Sequence, residues 1–235
     1  MKTLISKILL IISIALIITS CAKDEEADDS SSSSASAGPG TTASGTVEGN
    51  SDLSGTFSMS WGGATPSGGC IDDSSAISAF NFPSETKGFK NQFIITSPTT
   101  FTKSLSTYSD SSCSTITSYF NTMSKSATIG AEVTNLTAGS DPAKPTSANK
   151  ISYIDEKYAL MANTTAMIEH FSTNMGITLT AGAELAIVES SPSTEYNIIA
   201  TGTLAGSDKT WLFFDGGSNA DNYTDWSSNV NVYWK

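Results

Sequence analysis

Few side chains here could do covalent chemistry, and their spacing closes off most of it. His170 is the only histidine. A Ser-His-Asp triad would have to use it, yet no nucleophile-elbow motif stands anywhere in the chain. Glu169-His170 does not form HExxH, so the spacing excludes a zincin. The stretch from Asp215 to Asp225 concentrates Asp215, Asn219, Asp221, Asn222 and Asp225. Oxygen ligands in such a loop can hold Ca²⁺, but the spacing matches no EF-hand, and a solvated hairpin loop accounts for it. Asp72-Asp73 is a weaker case of the same kind. Asp155-Glu156 is a local carboxylate pair of the sort glycoside hydrolysis uses. Neighbours on a strand point to opposite faces, so these two do not converge. Trp61, Trp211, Trp226 and Trp234, with Tyr153, Tyr158, Tyr196, Tyr223 and Tyr233, could line a site for a sugar or an apolar molecule. Core or barrel-rim packing explains most of them. The reading is of a non-enzyme with no catalytic residue, no metal site and no cofactor, whose ligand-binding residues the sequence does not single out.

Composition narrows the partners. The chain carries 12 lysines, no arginine and 23 acidic residues, a formal −11. A nucleic-acid binder needs a basic patch, so no nucleic-acid partner is expected. Without arginine there is no bidentate clamp for phosphate or carboxylate either.

The front of the chain says where the protein works. Residues 1–20 begin with Lys2 and Lys7, then run apolar from Ile8 to Ile18 except for Ser13. Such a run is too short for a bilayer core, which takes about 20 residues. The layout predicts a signal peptide. Its end, Ile18-Thr19-Ser20-Cys21, resembles a bacterial lipobox. The resemblance implies cleavage before Cys21 and acyl chains on that cysteine, which thereby anchors the protein to a membrane. Two or more chains hold a protein stably, at roughly 0.8 kcal/mol per buried methylene. Ala22 rather than Asp after the cysteine points to the outer membrane by the same resemblance. Loss of Lys2 and Lys7 takes the formal charge to −13 (−11 − 2). Residues 21–50 hold Asp24, Glu25, Glu26, Asp28 and Asp29, then five serines, Ser30 to Ser34. This composition cannot bury a core and predicts a disordered tether, with an end-to-end distance of about 30 Å. Cys70 and Cys113 remain. An exported domain with two thiols most often pairs them, a bridge worth roughly 4 kcal/mol. Free thiols and a metal site are the alternatives, the latter a poor zinc set without CxxC.

Residues 51–235 are long enough for one domain, and they alternate with period two. In "LSGTFSMSW", Leu53, Gly55, Phe57, Met59 and Trp61 share a face. Phe89, Phe93 and Ile95 follow. Phe101, Lys103, Leu105 and Thr107 come next, then Ala127, Ile129, Ala131 and Val133. "ISYIDEKYALMA" reads as two short strands around Asp155-Glu156 or one long bent strand. "ELAIVES", "YNIIATGTLAG", "TWLFFDG" and "NVNVYW" supply four more. Met167, Ile168, Phe171 and Met175 instead keep helical spacing, which predicts one helix over about 164–175. Asn163 or Thr164 would cap its start and Gly176 its end. Eight to ten strands and one short helix predict a mainly β domain, an antiparallel barrel or sandwich.

"LSGTFSMSW", a cysteine soon after it, "YSDSSC", "YNIIATGTL" and "TWLFFDG" resemble the lipocalin-like β-barrel lipoproteins of bacteria. The resemblance implies a calyx-like barrel whose two cysteines bridge an early loop to a strand end. Members of this family are mostly without known function. In true lipocalins a Gly-x-Trp opens the first strand, and that tryptophan packs beneath an arginine from the last. Here the motif is Gly55-Thr56-Phe57, and Lys209 is the nearest substitute for the cation. The expected function is that of a membrane-anchored envelope lipoprotein whose barrel interior takes a small apolar molecule. The alternative is an envelope-assembly or surface-adhesion module with no small-molecule ligand.

Overall fold

The computed structural model describes residues 55–62, 64–97, 99–137, 144–203, 208–215, 225–226 and 230–235. The signal peptide, Cys21 and the tether lie outside the described residues, as does most of the Asp215–Asp225 loop. Nine strands form one antiparallel sheet: β1 Gly55–Met59, β2 Gly88–Ser97, β3 Thr100–Tyr108, β4 Ile116–Thr134, β5 Ser147–Ala162, β6 Leu185–Val188, β7 Thr194–Thr203, β8 Thr210–Asp215 and β9 Val230–Trp234. Neighbours run β4-β3-β2-β1-β9-β8-β7-β5, and β5 pairs back to β4. That closes an eight-stranded barrel and removes the unpaired edges of an open sheet. The ninth strand, β6, is extra. It lies beside residues 157–160 of β5, while β7 takes residues 149–154 of the same edge. The sheet therefore divides where β6 ends and β7 begins. Of the barrel and the sandwich that the alternating pattern allowed, the barrel is observed, and it matches the lipocalin-like architecture that the resemblance implied.

Strand β5 is a single long strand, with a bulge at the predicted bend. Asp155 faces Ser124 and Lys157 faces Met123, so Glu156 is the additional residue on its side. The bulge resets the in-out alternation. Asp155 and Tyr158, which unbroken alternation would put on opposite faces, both point into the barrel. Glu156 pairs outside with Lys125. The separation of the two adjacent carboxylates is as strand geometry requires.

Two helices are present among the described residues, one more than predicted. The expected helix is α2, Thr165–Met175. The Thr164 hydroxyl accepts from the Met167 amide at 3.3 Å, and Gly176 ends the helix at φ 68°. The other, α1, is the six-residue segment Ser74–Ala79. Asp73 caps it by accepting from the amides of Ser75 and Ala76. A helix this short carries no periodic signal, and its cap is one of the two adjacent aspartates that looked like a weak ligand pair. Helix α2 buries Met167, Phe171 and Met175 against Phe120, Leu160 and Ala162 from the inner face of the barrel. It covers the end where β4 starts and β5 finishes.

Cys70 and Cys113 sit at disulfide distance at this same end, with sulfurs 2.00 Å and Cα atoms 5.8 Å apart. They join the loop after β1 to the β3–β4 turn. Gly88 lies under the pair: a Cβ there would fall 2.9 Å from the Cys113 sulfur. The cation over the Gly-x-Trp equivalent is not Lys209. Lys235, just past β9, stands 4.7 Å from the Phe57 ring centroid, whereas Lys209 lies over Trp234. The register explains the exchange: Ser58 faces Trp234, so the residue before Ser58 meets the one after Trp234.

Candidate functional site

The inner face of the barrel is layered. Phe93, Phe101, Phe214, Tyr153 and Tyr233 fill its middle, with Phe93 and Phe101 stacked at 4.5 Å and Phe214 5.0 Å from Phe93. Ile129, Ile151, Ile199 and Leu212 complete that layer, all buried. A second apolar layer, around Phe120 and Leu160, closes the helix-covered end. Between them runs a belt of polar groups. Lys103 on β3 and Tyr158 on β5 flank Thr122 of β4, and Asp155 follows one step along β5.

The belt is organised around one ion pair. The Lys103 ammonium donates to Asp155 at 3.0 Å and lies 5.0 Å from the Tyr153 ring centroid. The other Asp155 oxygen accepts from the Ser124 hydroxyl at 2.5 Å. The Lys103 side chain keeps 27% of its surface exposed and that of Asp155 11%, so water reaches the belt. Glu195 lies opposite Tyr153 on the same inner face of β7. Glu189 follows Ile187, which faces Tyr158, and so looks inward just past β6. The two glutamates flank the place where the sheet divides. Glu195 accepts from Ser193, and one Glu189 oxygen accepts from the Ser191 amide. The second Glu189 oxygen is buried with no hydrogen-bond partner among the described residues.

Three buried tyrosines look onto this belt. Tyr153 hydrogen-bonds Asn197. Tyr158 and Tyr233 are 3% and 4% exposed, yet neither hydroxyl makes a hydrogen bond among the described residues. Nor is either oxygen among the sealed, unpaired polar atoms, which belong to Thr86, Asn121, Asn149, Glu189 and Trp234. Buried phenols ordinarily find a partner. Burial raises the Tyr158 hydroxyl to about 12, and Asp155, Glu189 and Glu195 add to that rise. Tyr233 is raised too, by burial first, with Lys103 opposing. Both hydroxyls are protonated at neutral pH and can donate as well as accept.

The other residues with chemical potential fall elsewhere. His170 is half-buried against Phe82, ring centroids 6.3 Å apart, and its Nδ1 pairs with the Asn174 amide at 3.0 Å. Burial lowers its pKa, so it is neutral at physiological pH. Trp211 and Trp226 belong to an apolar cluster on the outer face, with Ile198 and Phe213, and Trp234 packs against it. The Trp226 indole donates to the Pro145 carbonyl at 2.8 Å. Tyr196 is exposed, and Tyr223 lies outside the described residues. The four tryptophans thus line no common site, whereas three of the five tyrosines do. One signal for the belt was visible in the alternation: Lys103 shares a face with Phe101 and Leu105. The bulge that brings Tyr158 beside it falls at the bend the pattern marked around Asp155-Glu156, though the pattern did not say which side chains it would turn inward.

No protein-family model matches this chain, and no curated protein matches it either.

Proposed function

We propose that this protein is a non-enzymatic lipoprotein of the bacterial cell envelope. Acyl chains on Cys21 hold it to the outer membrane, and its lipocalin-like barrel carries a small ligand at the polar belt. Support for a ligand rests on one observation: two buried tyrosine hydroxyls, without hydrogen-bond partners among the described residues, lie within electrostatic reach of Lys103, which pairs with Asp155. The apolar middle of the barrel is occupied by the protein's own rings. That argues for an occupant seated at the belt rather than the apolar molecule the sequence suggested. Support for the anchor is the lipobox-like Ile18-Thr19-Ser20-Cys21 and the acidic tether after it.

Native mass spectrometry of the full lipidated chain, purified from its host's membranes, tests the ligand. A small-molecule adduct is expected in the native protein and should be lost when Tyr158 and Tyr233 are both changed to Phe. A spectrum with no adduct overturns the carrier reading. Cys21→Ser should move the protein from the membrane pellet to the soluble fraction, and retention in the pellet overturns the anchor. The second reading, an envelope-assembly or adhesion module, draws on Val188, 66% exposed at the end of the extra strand, and on the exposed Tyr196 of β7. Apolar groups on a strand of this kind can recruit another chain. Protease accessibility on intact cells would show whether that edge faces outward.

A further inference from the structure

The charge balance of the belt defines what it can hold. Asp155, Glu189 and Glu195 lie at the belt from β5, the end of β6, and β7, and among the described residues Lys103 on β3 is the only cation with them. The chain contains no arginine to seat an anion, and its formal charge of −11 has the same sign as the belt. Tyrosine rings favour a cation over their faces, and Lys103 already uses that of Tyr153. One Glu189 oxygen lacks a donor among the described residues. Tyr158 and Tyr233 offer hydroxyls that can bond a neutral polar group beside the charge.

We propose that the belt binds a small protonated amine bearing a hydroxyl or ether oxygen, the amine between Glu189 and Glu195 and the oxygen on the Tyr158 and Tyr233 hydroxyls. This rests on the carrier reading above and names its ligand class. Lys103 acts as a built-in competitor, holding Asp155 and the Tyr153 ring that an incoming amine would also seek. A free amine and the ammonium of a lipid headgroup share this chemistry.

Calorimetric titration of the full lipidated chain in a neutral sugar detergent tests it, with ethanolamine, acetate and glucose as probes. Ethanolamine should bind, and acetate and glucose should not. Glu195→Gln and Glu189→Gln should each weaken ethanolamine at least 5-fold, while Lys103→Met should tighten it several-fold by removing the competitor. Near-UV circular dichroism would verify that each variant is folded, and Glu195, only half-buried, keeps the test open if Lys103→Met is not. Competition by a short-chain phosphatidylethanolamine identifies a headgroup as the source, and its absence a free amine; either supports the class. Binding of acetate or glucose alone overturns the amine while leaving the carrier reading standing. Ethanolamine binding that none of the three variants alters overturns the site. If no probe binds and native mass spectrometry shows no adduct, both readings fall together.

Discussion

At the scale of single residues, His170 ties stability to pH. Its imidazole is half-buried and its pKa is lowered from the ordinary 6.5. The unfolded chain therefore takes up a proton at a higher pH than the native one. Stability is complete above about pH 6.5 and falls as the pH drops through the lowered native value. Thermal midpoints measured from pH 7.5 down to 5.5 should decline, and His170→Gln should flatten part of that slope. An unchanged slope in the variant would place the loss on other groups. The Asp110 carboxylate, which accepts from Ser112, Ser114 and Thr115, has a lowered pKa and adds a separate loss at more acid pH. Not every residue-level assignment survives the move from sequence to structure. The cation over Phe57 comes from Lys235 because strand register, not nearness to a tryptophan, decides which side chains meet.

At the scale of elements, the bulge at Glu156 decides which side chains of β5 look inward. Deleting Glu156 would restore unbroken alternation and leave Asp155 and Tyr158 two positions apart, both still inward. Deleting Glu156 and Lys157 together would instead turn residues 158–162 to the opposite face, taking Tyr158, Leu160 and Ala162 out of the interior that α2 packs against. We expect the double deletion to lose its near-UV circular dichroism and its resistance to limited proteolysis. The single deletion, which keeps every inward residue inward, should retain both. The elements also show why legibility was uneven. Strands β8 and β9 were plain because Trp211 to Phe214, and Val232 with Tyr233, are strongly apolar and β-branched or aromatic. The first half of β4 was missed. Its inward residues are Ser118, Phe120, Thr122 and Ser124, so hydroxyls stand where apolar side chains would mark a buried face. Those hydroxyls are the wall of the polar belt and its surroundings, as with the Thr107 contacts to Thr117 and Ser118 at 2.7 Å. What hid the strand is what makes the site.

At the scale of the whole molecule, two separate devices hold the helix-covered end. The Cys70–Cys113 pair fixes the long loop after β1 to the β3–β4 turn, and Thr164 at the start of α2 bonds Glu85 in that same loop. Replacing both cysteines by Ala should lower the unfolding free energy by about 4 kcal/mol, read from denaturant midpoints. The fold class should persist in far-UV circular dichroism, because the barrel is closed by strand pairing. A double variant with unchanged stability would mean that the unfolded chain is already restrained there. The closure itself has a kinetic meaning. The ring is completed between its first and last strands, where Ser58 meets Trp234, 176 positions away (234 − 58). That contact forms only after almost the entire polypeptide has emerged, and so distant an encounter is slow. Until then β1 and β9 each present a bare edge. Until the ring closes, such a chain is an open, sticky ribbon whose survival depends on chaperones that shield strand edges.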